Sequence, residues 1–174
     1  MVIDFEKEIE IKFKIDDNIV SKLKTLKLKP YEEIDEYFFT KDNVGKNIFL
    51  RFRKKKGKIF LELKVITLGG KEVGIYEADE IETEITKEQY KNIKKIFNVI
   101  FPIKIQVRKI RSKGKLNDCE LCYDKVDELG DYLEIEGPKN NIVEICNKFG
   151  IDVEKLKDRE EGYAKMTLKK LGFI

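Results

Sequence analysis

The segment Glu8–Ile15, which reads EIEIKFKI, alternates charged and apolar residues without interruption. Successive side chains of a β-strand point to opposite faces, so a strand here gathers its charges on one face and its apolar side chains on the other. A single strand of this kind normally buries its apolar face and turns its charges to water. The segment therefore predicts a strand, and the surroundings of its charged face depend on the rest of the chain.

Seven further segments have the composition of β-strands and are separated by short turns. With the first, the predicted strands are Glu6–Ile15, Asp35–Thr40, Asn47–Lys54, Lys58–Thr67, Ala78–Ile85, Ile103–Ser112, Asp118–Val126 and Tyr132–Gly137. Apolar periodicity and capping residues predict four helices, at Asp17–Leu28, Thr86–Asn98, Asn140–Phe149 and Glu160–Leu171. Eight strands with few helices predict an α+β fold, in which a closed eight-stranded antiparallel β-barrel is flanked by helices. We expect one domain, spanning residues 1–174.

The composition argues against several classes of protein. The net charge is +3, from 36 basic and 33 acidic residues, without the basic excess of a generic nucleic-acid-binding protein. The sequence contains no run of about 18 apolar residues, so it predicts no membrane-spanning helix. The N-terminal MVIDFEKEIE lacks the basic and apolar regions of a signal peptide, so we expect a cytoplasmic protein with no membrane partner.

The chain contains no histidine, and this restricts its chemistry. Histidine is the commonest general base, and it activates the nucleophile in Ser–His and Cys–His arrangements. An enzyme of this composition would work with carboxylates, cations and a metal.

Cys119 and Cys122 form a CxxC motif, but their spacing puts them on opposite faces of a strand. With no histidine or second CxxC to complete a zinc site, we expect these thiols and Cys146 to be free.

Arginine is rare in this chain and concentrated in the predicted strands. Only five of the 36 basic residues are arginines, and four of them are Arg51, Arg53, Arg108 and Arg111. Arg51 and Arg53 share one strand face, and Lys109 shares a face with Arg111. The planar guanidinium group suits bidentate contacts to phosphate. The pattern favours a phosphate-binding surface on these strands.

Carboxylates also occur in pairs two residues apart. Each pair presents two carboxylates on one strand face, and the pairs are Glu8 with Glu10, Glu82 with Glu84, and Glu134 with Glu136. Hard cations such as Mg²⁺ are bound by a few carboxylates together with substrate phosphates. Acidic and basic pairs interspersed over several strands predict a shared charged interior, and an eight-stranded barrel is wide enough for one small ligand. A polyanion with its metal would offset the cost of burying these charges.

In their order along the chain, these motifs resemble those of the CYTH, or triphosphate tunnel metalloenzyme, superfamily. The run from Glu8 to Lys12 matches its ExExK signature. IDEYFF is similar to the family's second strand, LRFRK to its RxR strand, LELK to the strand that ends in a phosphate-binding lysine, and VRKIRS to its KxR segment. YDKVDELGDYLEIEG is similar to the pattern of the class IV adenylyl cyclase and thiamine triphosphatase branch.

The resemblance implies a tunnel that binds a triphosphate with Mg²⁺ or Mn²⁺. The implied triphosphate-binding residues are Lys12, Arg51, Arg53, Lys64, Lys109 and Arg111. The implied metal ligands are Glu8, Glu10, Glu134 and Glu136, and the implied catalytic residues are Glu8, Glu10, Lys12 and Glu136. Glu82, Glu84 and Asp124 are expected in the lumen without an assigned role, and Arg108 is expected to face away from it.

One departure bears on the reaction. Some bacterial class IV cyclases carry a His-Phe pair six residues before the first glutamate of ExExK, where this chain has Val2 and Ile3. We therefore expect a class IV cyclase-like enzyme and narrowly favour triphosphate hydrolysis over cyclisation of ATP to cyclic AMP. ATP, thiamine triphosphate and tripolyphosphate remain candidate substrates, and a homodimer is left open.

Two non-catalytic alternatives also remain, a sensor of phosphate ligands and a small RNA-binding barrel. The second rests on KNIFLRFRKKKGKIFLELK, which mixes basic and aromatic residues as single-strand binders do. The paired carboxylates argue against both.

Overall fold

The computed structural model describes residues 6–44, 46–67, 75–153, 156 and 162–174. Its eight strands are β1 (Glu6–Lys14), β2 (Lys29–Phe39), β3 (Ile48–Lys55), β4 (Lys58–Thr67), β5 (Ile75–Ile85), β6 (Ile103–Leu116), β7 (Cys119–Val126) and β8 (Gly130–Glu136). Its four helices are α1 (Asp17–Lys24), α2 (Lys87–Ile100), α3 (Lys139–Phe149) and α4 (Tyr163–Lys170). Val2, Ile3 and the predicted start of the last helix at Glu160 lie outside the described residues.

The strands form a closed barrel in the order β1-β5-β4-β3-β2-β6-β7-β8. Every neighbouring pair is antiparallel, including the closing pairs of β1 with β5 and with β8. The predicted eight-stranded antiparallel barrel with flanking helices is therefore confirmed. Among the described residues, no helix is long and apolar enough to cross a membrane.

Several predicted element boundaries were wrong: β6 runs to Leu116 rather than Ser112, and β5 begins at Ile75 rather than Ala78. Two other errors concern β2 and α1. β2 begins at Lys29 rather than Asp35, because Pro30 sits within a strand that pairs with β6 along its whole length. The helix α1 ends at Lys24 rather than Leu28, where the backbone N–H of Thr25 donates to the Lys22 carbonyl and that of Leu26 donates to the Leu23 carbonyl. Residues 29–34, which the predicted strand did not include, belong to β2. They add two side chains, Tyr31 and Glu33, to the wall of the barrel.

The largest apolar core lies outside the barrel wall. Ile11 and Phe13, the apolar face of the opening segment, are almost fully buried there. They belong to one cluster with Leu133 and Ile135 of β8 and with Ile142 of α3. Since β-strand faces alternate, this outward apolar face leaves the charged face of β1 turned into the barrel.

A second apolar cluster lines part of the lumen. Tyr37 and Phe49 lie on the same strand faces as the lumen arginines and belong to this cluster. Helix α4 contributes Tyr163, Ala164 and Leu168, which are buried against them. The barrel interior is therefore apolar beside α4 and charged elsewhere.

Helix α2 packs on the outer wall through aromatic and polar contacts. The ring of Phe97 lies against Phe38 and Phe52, with centroid distances of 5.2 and 5.3 Å. Thr86 and Gln89 form the capping box that their spacing predicts at the start of the helix.

Candidate active site in the barrel lumen

The lumen contains a cavity of about 260 Å³ that receives side chains from all eight strands and from α4. All ten residues predicted to bind the triphosphate or the metal line this one cavity. Glu82, one of the three predicted lumen residues without an assigned role, also lines this cavity. Further charged residues on the lining are Glu6, Glu33, Lys55, Glu80, Lys113 and Glu120.

The two remaining predicted lumen residues do not line the cavity. Glu84 is exposed at the end of β5 and pairs with Lys58, with 2.7 Å between the ammonium nitrogen and a carboxylate oxygen. It does not line the cavity, because the β5 face that it shares with Glu82 extends past the cavity. Asp124 is fully buried behind the lining, where it binds Arg111.

The arginines of β3 are held by buried carboxylates of the neighbouring strands. Arg53 contacts Asp35 at 2.9 Å, Glu33 at 3.1 Å and Glu62 at 3.0 Å. Arg51 pairs with Glu62 and donates a hydrogen bond of 2.7 Å to the hydroxyl of Tyr37. Both guanidinium groups are buried, and a buried cation is stable only when it is paired. The carboxylates thus hold the two arginines in place on the cavity lining.

A similar arrangement holds the basic pair of β6. Lys109 is fully buried, and its ammonium group lies 2.7 Å from Glu33 and 3.2 Å from Asp35. Arg111 forms a bidentate pair with Asp124, through hydrogen bonds of 2.7 and 2.6 Å. Burial alone would lower the pKa of Lys109, but Asp35 and Glu33 outweigh it and raise the pKa. Both groups therefore remain cationic inside the barrel.

The lysines of β1 and β4 contact the acidic residues of the ExExK segment and of β8. Lys64 lies 2.7 Å from Glu8 and 3.1 Å from Glu10. Lys12 lies 2.7 Å from Glu134, its cross-strand neighbour. Burial would raise the pKa of Glu10, but Lys64, Lys12 and a hydrogen bond from Tyr76 together outweigh it, and the pKa lies below its usual value.

Glu136 is in a different electrostatic environment. Among the described residues no ion pair engages it, and its cross-strand partners are Glu10 and Glu120. Burial, followed by repulsion from Glu8 and Glu120, raises the pKa of Glu136 to about 7. Of the four carboxylates on β1 and β8, Glu136 is thus the one without an ion pair among the described residues, since Lys64 pairs with Glu8 and Glu10 and Lys12 pairs with Glu134. Carboxylate oxygens are the donors that a hard divalent metal prefers. The residues of β1 and β8 therefore fit Mg²⁺ or Mn²⁺.

A second acidic group lies on β4 and β5, on the side of β1 away from β8. The carboxylate oxygens of Glu62, Glu80 and Glu82 lie within 4.8 Å of one another, and they are the one such group of three within the part of the chain that the structure describes. The four metal ligands predicted from the sequence line the cavity without forming so tight a group. Glu62, however, is already paired with Arg51 and Arg53. Its charge is therefore better compensated than that of Glu136.

The charge balance of the lumen constrains what it can bind. The cations on its lining are Lys12, Arg51, Arg53, Lys55, Lys64, Lys109, Arg111 and Lys113. The carboxylates on its lining are Glu6, Glu8, Glu10, Glu33, Glu80, Glu82, Glu120, Glu134 and Glu136, and Asp35, Glu62 and Asp124 are buried among them. Carboxylates outnumber cations, so the lumen without a metal has no net attraction for a polyanion. A divalent metal would reverse this balance and link the carboxylates to a phosphate chain.

Several of these residues were missed by the sequence analysis. Glu62 and Glu80 each lie two residues before a predicted lumen residue, so strand alternation could have identified them. Glu33 and Asp35 alternate in the same way, but the predicted strand began too late to include Glu33. Tyr163 comes from helix α4, and no strand pattern could have placed it in the lumen.

The remaining sequence predictions for this region agree with the structure. Arg108 is exposed and faces away from the lumen, where it donates a hydrogen bond to Gln106. Cys119 lies in the outer core, and Cys122 lies on the opposite, inward face of β7. Both, with Cys146, are free thiols. Burial raises the pKa of Cys122 to about 12, which keeps the thiol protonated.

Comparison with known proteins agrees with this geometry. A protein of Methanocaldococcus jannaschii that carries the provisional name adenylate cyclase is 32% identical over 146 residues, which cover 79% of this chain and 80% of that protein. The solved structure of a Pyrococcus horikoshii protein is 26% identical and superposes with a TM-score of 0.71, over 91% of this chain and 98% of that one.

A more distant structure shares the fold. A Hippeastrum protein, described as a candidate adenylyl cyclase with a dominant triphosphatase activity, is 19% identical with a TM-score of 0.62, over 95% of this chain and 96% of that one. The family model of the CYTH domain matches residues 6–156. With that match over most of its length, the chain belongs to the CYTH domain family.

Proposed function

We propose that this protein is a divalent-metal-dependent enzyme that binds a triphosphate in the barrel lumen and hydrolyses it. The observation that carries the proposal is the convergence of six predicted phosphate-binding cations on one cavity that is also lined by the carboxylates of β1 and β8. A cavity that combines fixed cations with a metal-binding acidic wall suits a substrate with several adjacent phosphates.

The cations would act by binding and orienting the phosphate chain. Arg51 and Arg53 are held rigidly by buried carboxylates, so they need little reorganisation when a phosphate arrives. Lys12, Lys64, Lys109 and Arg111 would contact the remaining phosphate oxygens. Holding the phosphate chain of the substrate in one geometry would orient the attack of water on a phosphorus atom.

The carboxylates of β1 and β8 would hold the metal. We assign Glu8, Glu10, Glu134 and Glu136 to this role, with Glu136 favoured most because it has no cation partner among the described residues. A bound Mg²⁺ or Mn²⁺ supplies Lewis-acid stabilisation of the charge that develops on the phosphate oxygens. Glu62, Glu80 and Glu82 are the alternative ligand set.

Hydrolysis makes fewer demands on the site than cyclisation. The cavity of about 260 Å³ is lined mainly by charged side chains, which suit a phosphate chain. Cyclisation requires the ribose hydroxyl to be held in line with the α-phosphorus, whereas hydrolysis requires only a positioned water.

The second candidate is a true class IV adenylyl cyclase, which converts ATP to cyclic AMP and pyrophosphate. The observation that favours it is the 32% identity to the M. jannaschii protein with that provisional name. The name of the Hippeastrum protein joins both activities in one fold, so fold alone does not choose between them.

Product analysis tests the proposal. The protein is incubated with ATP, thiamine triphosphate or tripolyphosphate, each with Mg²⁺ or Mn²⁺, and the products are separated by chromatography. We expect orthophosphate as the main product, with tripolyphosphate among the substrates turned over. Cyclic AMP and pyrophosphate as main products from ATP would establish the cyclase instead. Binding without turnover of any substrate would indicate a non-catalytic sensor.

A further inference from the structure

Tyr163, the first residue of α4, occupies a distinctive position in the apolar part of the cavity. Its side chain is buried and lines the lumen. The ammonium nitrogen of Lys12 lies 4.7 Å from the centre of its ring, and that of Lys109 lies 5.1 Å from it. These distances are within the range of cation–π attraction, which is strongest in a desolvated setting. One aromatic ring therefore contacts two of the cations assigned to the phosphate.

The hydroxyl of Tyr163 reaches a third cation indirectly. It donates a hydrogen bond of 2.9 Å to Asp124, which is fully buried. Asp124 in turn forms the bidentate pair with Arg111. Burial, together with the charge of Asp124, raises the pKa of Tyr163, so the hydroxyl keeps its proton and remains a donor.

We infer that Tyr163 is a positioning residue that holds Lys12, Lys109 and, through Asp124, Arg111 in the geometry that binds phosphate. The role in phosphate binding rests on the proposed function, whereas the contacts themselves do not. The inference assigns α4 a part in the site in addition to its packing against the barrel.

The physical reason is that each ammonium group has two kinds of partner. Lys12 pairs with Glu134 and Lys109 with Glu33, each at 2.7 Å. The ring of Tyr163 attracts both ammonium groups as well. Lysines held by both partners lose little conformational entropy when a phosphate binds, which favours affinity.

Packing is the alternative explanation for Tyr163, and the same helix provides its control. Leu168 is fully buried in the same apolar cluster but does not line the cavity. Leu168→Ala therefore weakens the docking of α4 without removing a contact to a lumen cation. Tyr163→Phe keeps the ring and removes the hydroxyl, and Tyr163→Leu removes both while remaining apolar.

The affinity of each variant for tripolyphosphate with Mg²⁺ is measured by calorimetry. We expect Tyr163→Leu to weaken binding about 10-fold or more, because two cation–π contacts are lost. Tyr163→Phe should weaken binding only about 3-fold, since the ring remains and one hydrogen bond is lost. Leu168→Ala should bind nearly as tightly as the wild type, at a temperature where all variants are folded. Equal losses in Tyr163→Leu and Tyr163→Phe would contradict the role of the ring.

A measurement without ligand separates this inference from the proposed function. In the free protein, a lysine over an aromatic ring shows an upfield shift of its side-chain NMR signals. We expect the signals of Lys12 and Lys109 to keep this shift in Tyr163→Phe and to lose it in Tyr163→Leu. If Tyr163→Leu left both signals unchanged, the inference would be wrong. If the wild type failed to bind tripolyphosphate, the proposed function would be wrong, and the NMR comparison would still test the contacts.

Discussion

At the scale of single residues, the lumen contains two kinds of charged side chain: those paired with an opposite charge and those without such a partner. Arg53 touches three carboxylates, whereas Glu136 faces other carboxylates without a cation among the described residues. A compensated charge stabilises the fold, and an uncompensated cluster attracts a metal. This difference leads to opposite expectations for the two residues.

Glu136→Gln is expected to weaken Mg²⁺ binding and to lower Mg²⁺-dependent turnover at least 10-fold, because it removes a carboxylate assigned to the metal. Stability without metal should not fall, because the substitution also removes repulsion between carboxylates. The matched control is Glu84→Gln, since Glu84 is exposed and lies away from the cavity. Full Mg²⁺-dependent activity in Glu136→Gln, measured by phosphate release, would exclude Glu136 as a ligand.

Arg53→Ala is expected to reduce the free energy of unfolding by about 3–5 kcal/mol, because Asp35, Glu33 and Glu62 would each lose a buried partner. Urea denaturation with and without tripolyphosphate measures this loss. Arg108→Ala provides the control, because Arg108 is exposed and its loss should change stability by at most ~0.5 kcal/mol. An equal effect of the two substitutions would show that the buried network contributes nothing.

At the scale of elements, strand alternation explains most of what could be predicted. The period of two assigned the correct faces to β1, β3 and β6. It failed for Glu84, because alternation specifies a face but not the depth along the barrel axis. It did not reach Glu33, because the predicted strand began at Asp35 whereas β2 begins at Lys29 and contains Pro30. Tyr163 could not be predicted, since its place in the lumen depends on how α4 docks.

Helix α2 illustrates an element held by a polar contact as well as by packing. Glu36 on the outer face of β2 accepts hydrogen bonds from Lys54 at 2.7 Å, from Lys94 at 2.6 Å and from Tyr90 at 2.9 Å. Burial would raise the pKa of Glu36, but the hydrogen bonds from Lys54 and Lys94 outweigh it and lower the pKa below 4.5. Because the folded-state pKa is depressed, this stabilisation is present above pH ~4.5 and is lost as the pH falls through the folded-state pKa.

Glu36→Gln is therefore expected to lower the melting temperature at pH 7 and to have a smaller effect near pH 3.5. The measurement is thermal unfolding of wild type and variant at both pH values, followed by circular dichroism. Glu84→Gln again serves as the control, because its ion pair with Lys58 is exposed. A destabilisation of the same size at both pH values would show that the charge of Glu36 does not matter.

At the scale of the whole molecule, the fold places its largest apolar core outside the barrel and its charges inside. The apolar faces of β1 and β8 are covered by α1 and α3, and α4 lines part of the lumen. The charged interior is unfavourable when empty unless its groups pair, and most of them do. Because carboxylates outnumber cations in the lumen, pairing within the protein leaves a net negative charge there. Metal and triphosphate together would compensate it, so their binding is expected to be coupled.

Calorimetric titration of tripolyphosphate into the protein, with Mg²⁺ and then with EDTA, tests this account most directly. We expect saturable binding with Mg²⁺ at a dissociation constant well below millimolar, and at least ~10-fold weaker binding without metal, because carboxylates outnumber cations in the lumen. The same coupling should appear as a rise in melting temperature that requires both ligands. Equal affinity with and without Mg²⁺, or no binding at millimolar tripolyphosphate with Mg²⁺ present, would contradict the claim that the lumen is a metal-dependent triphosphate site.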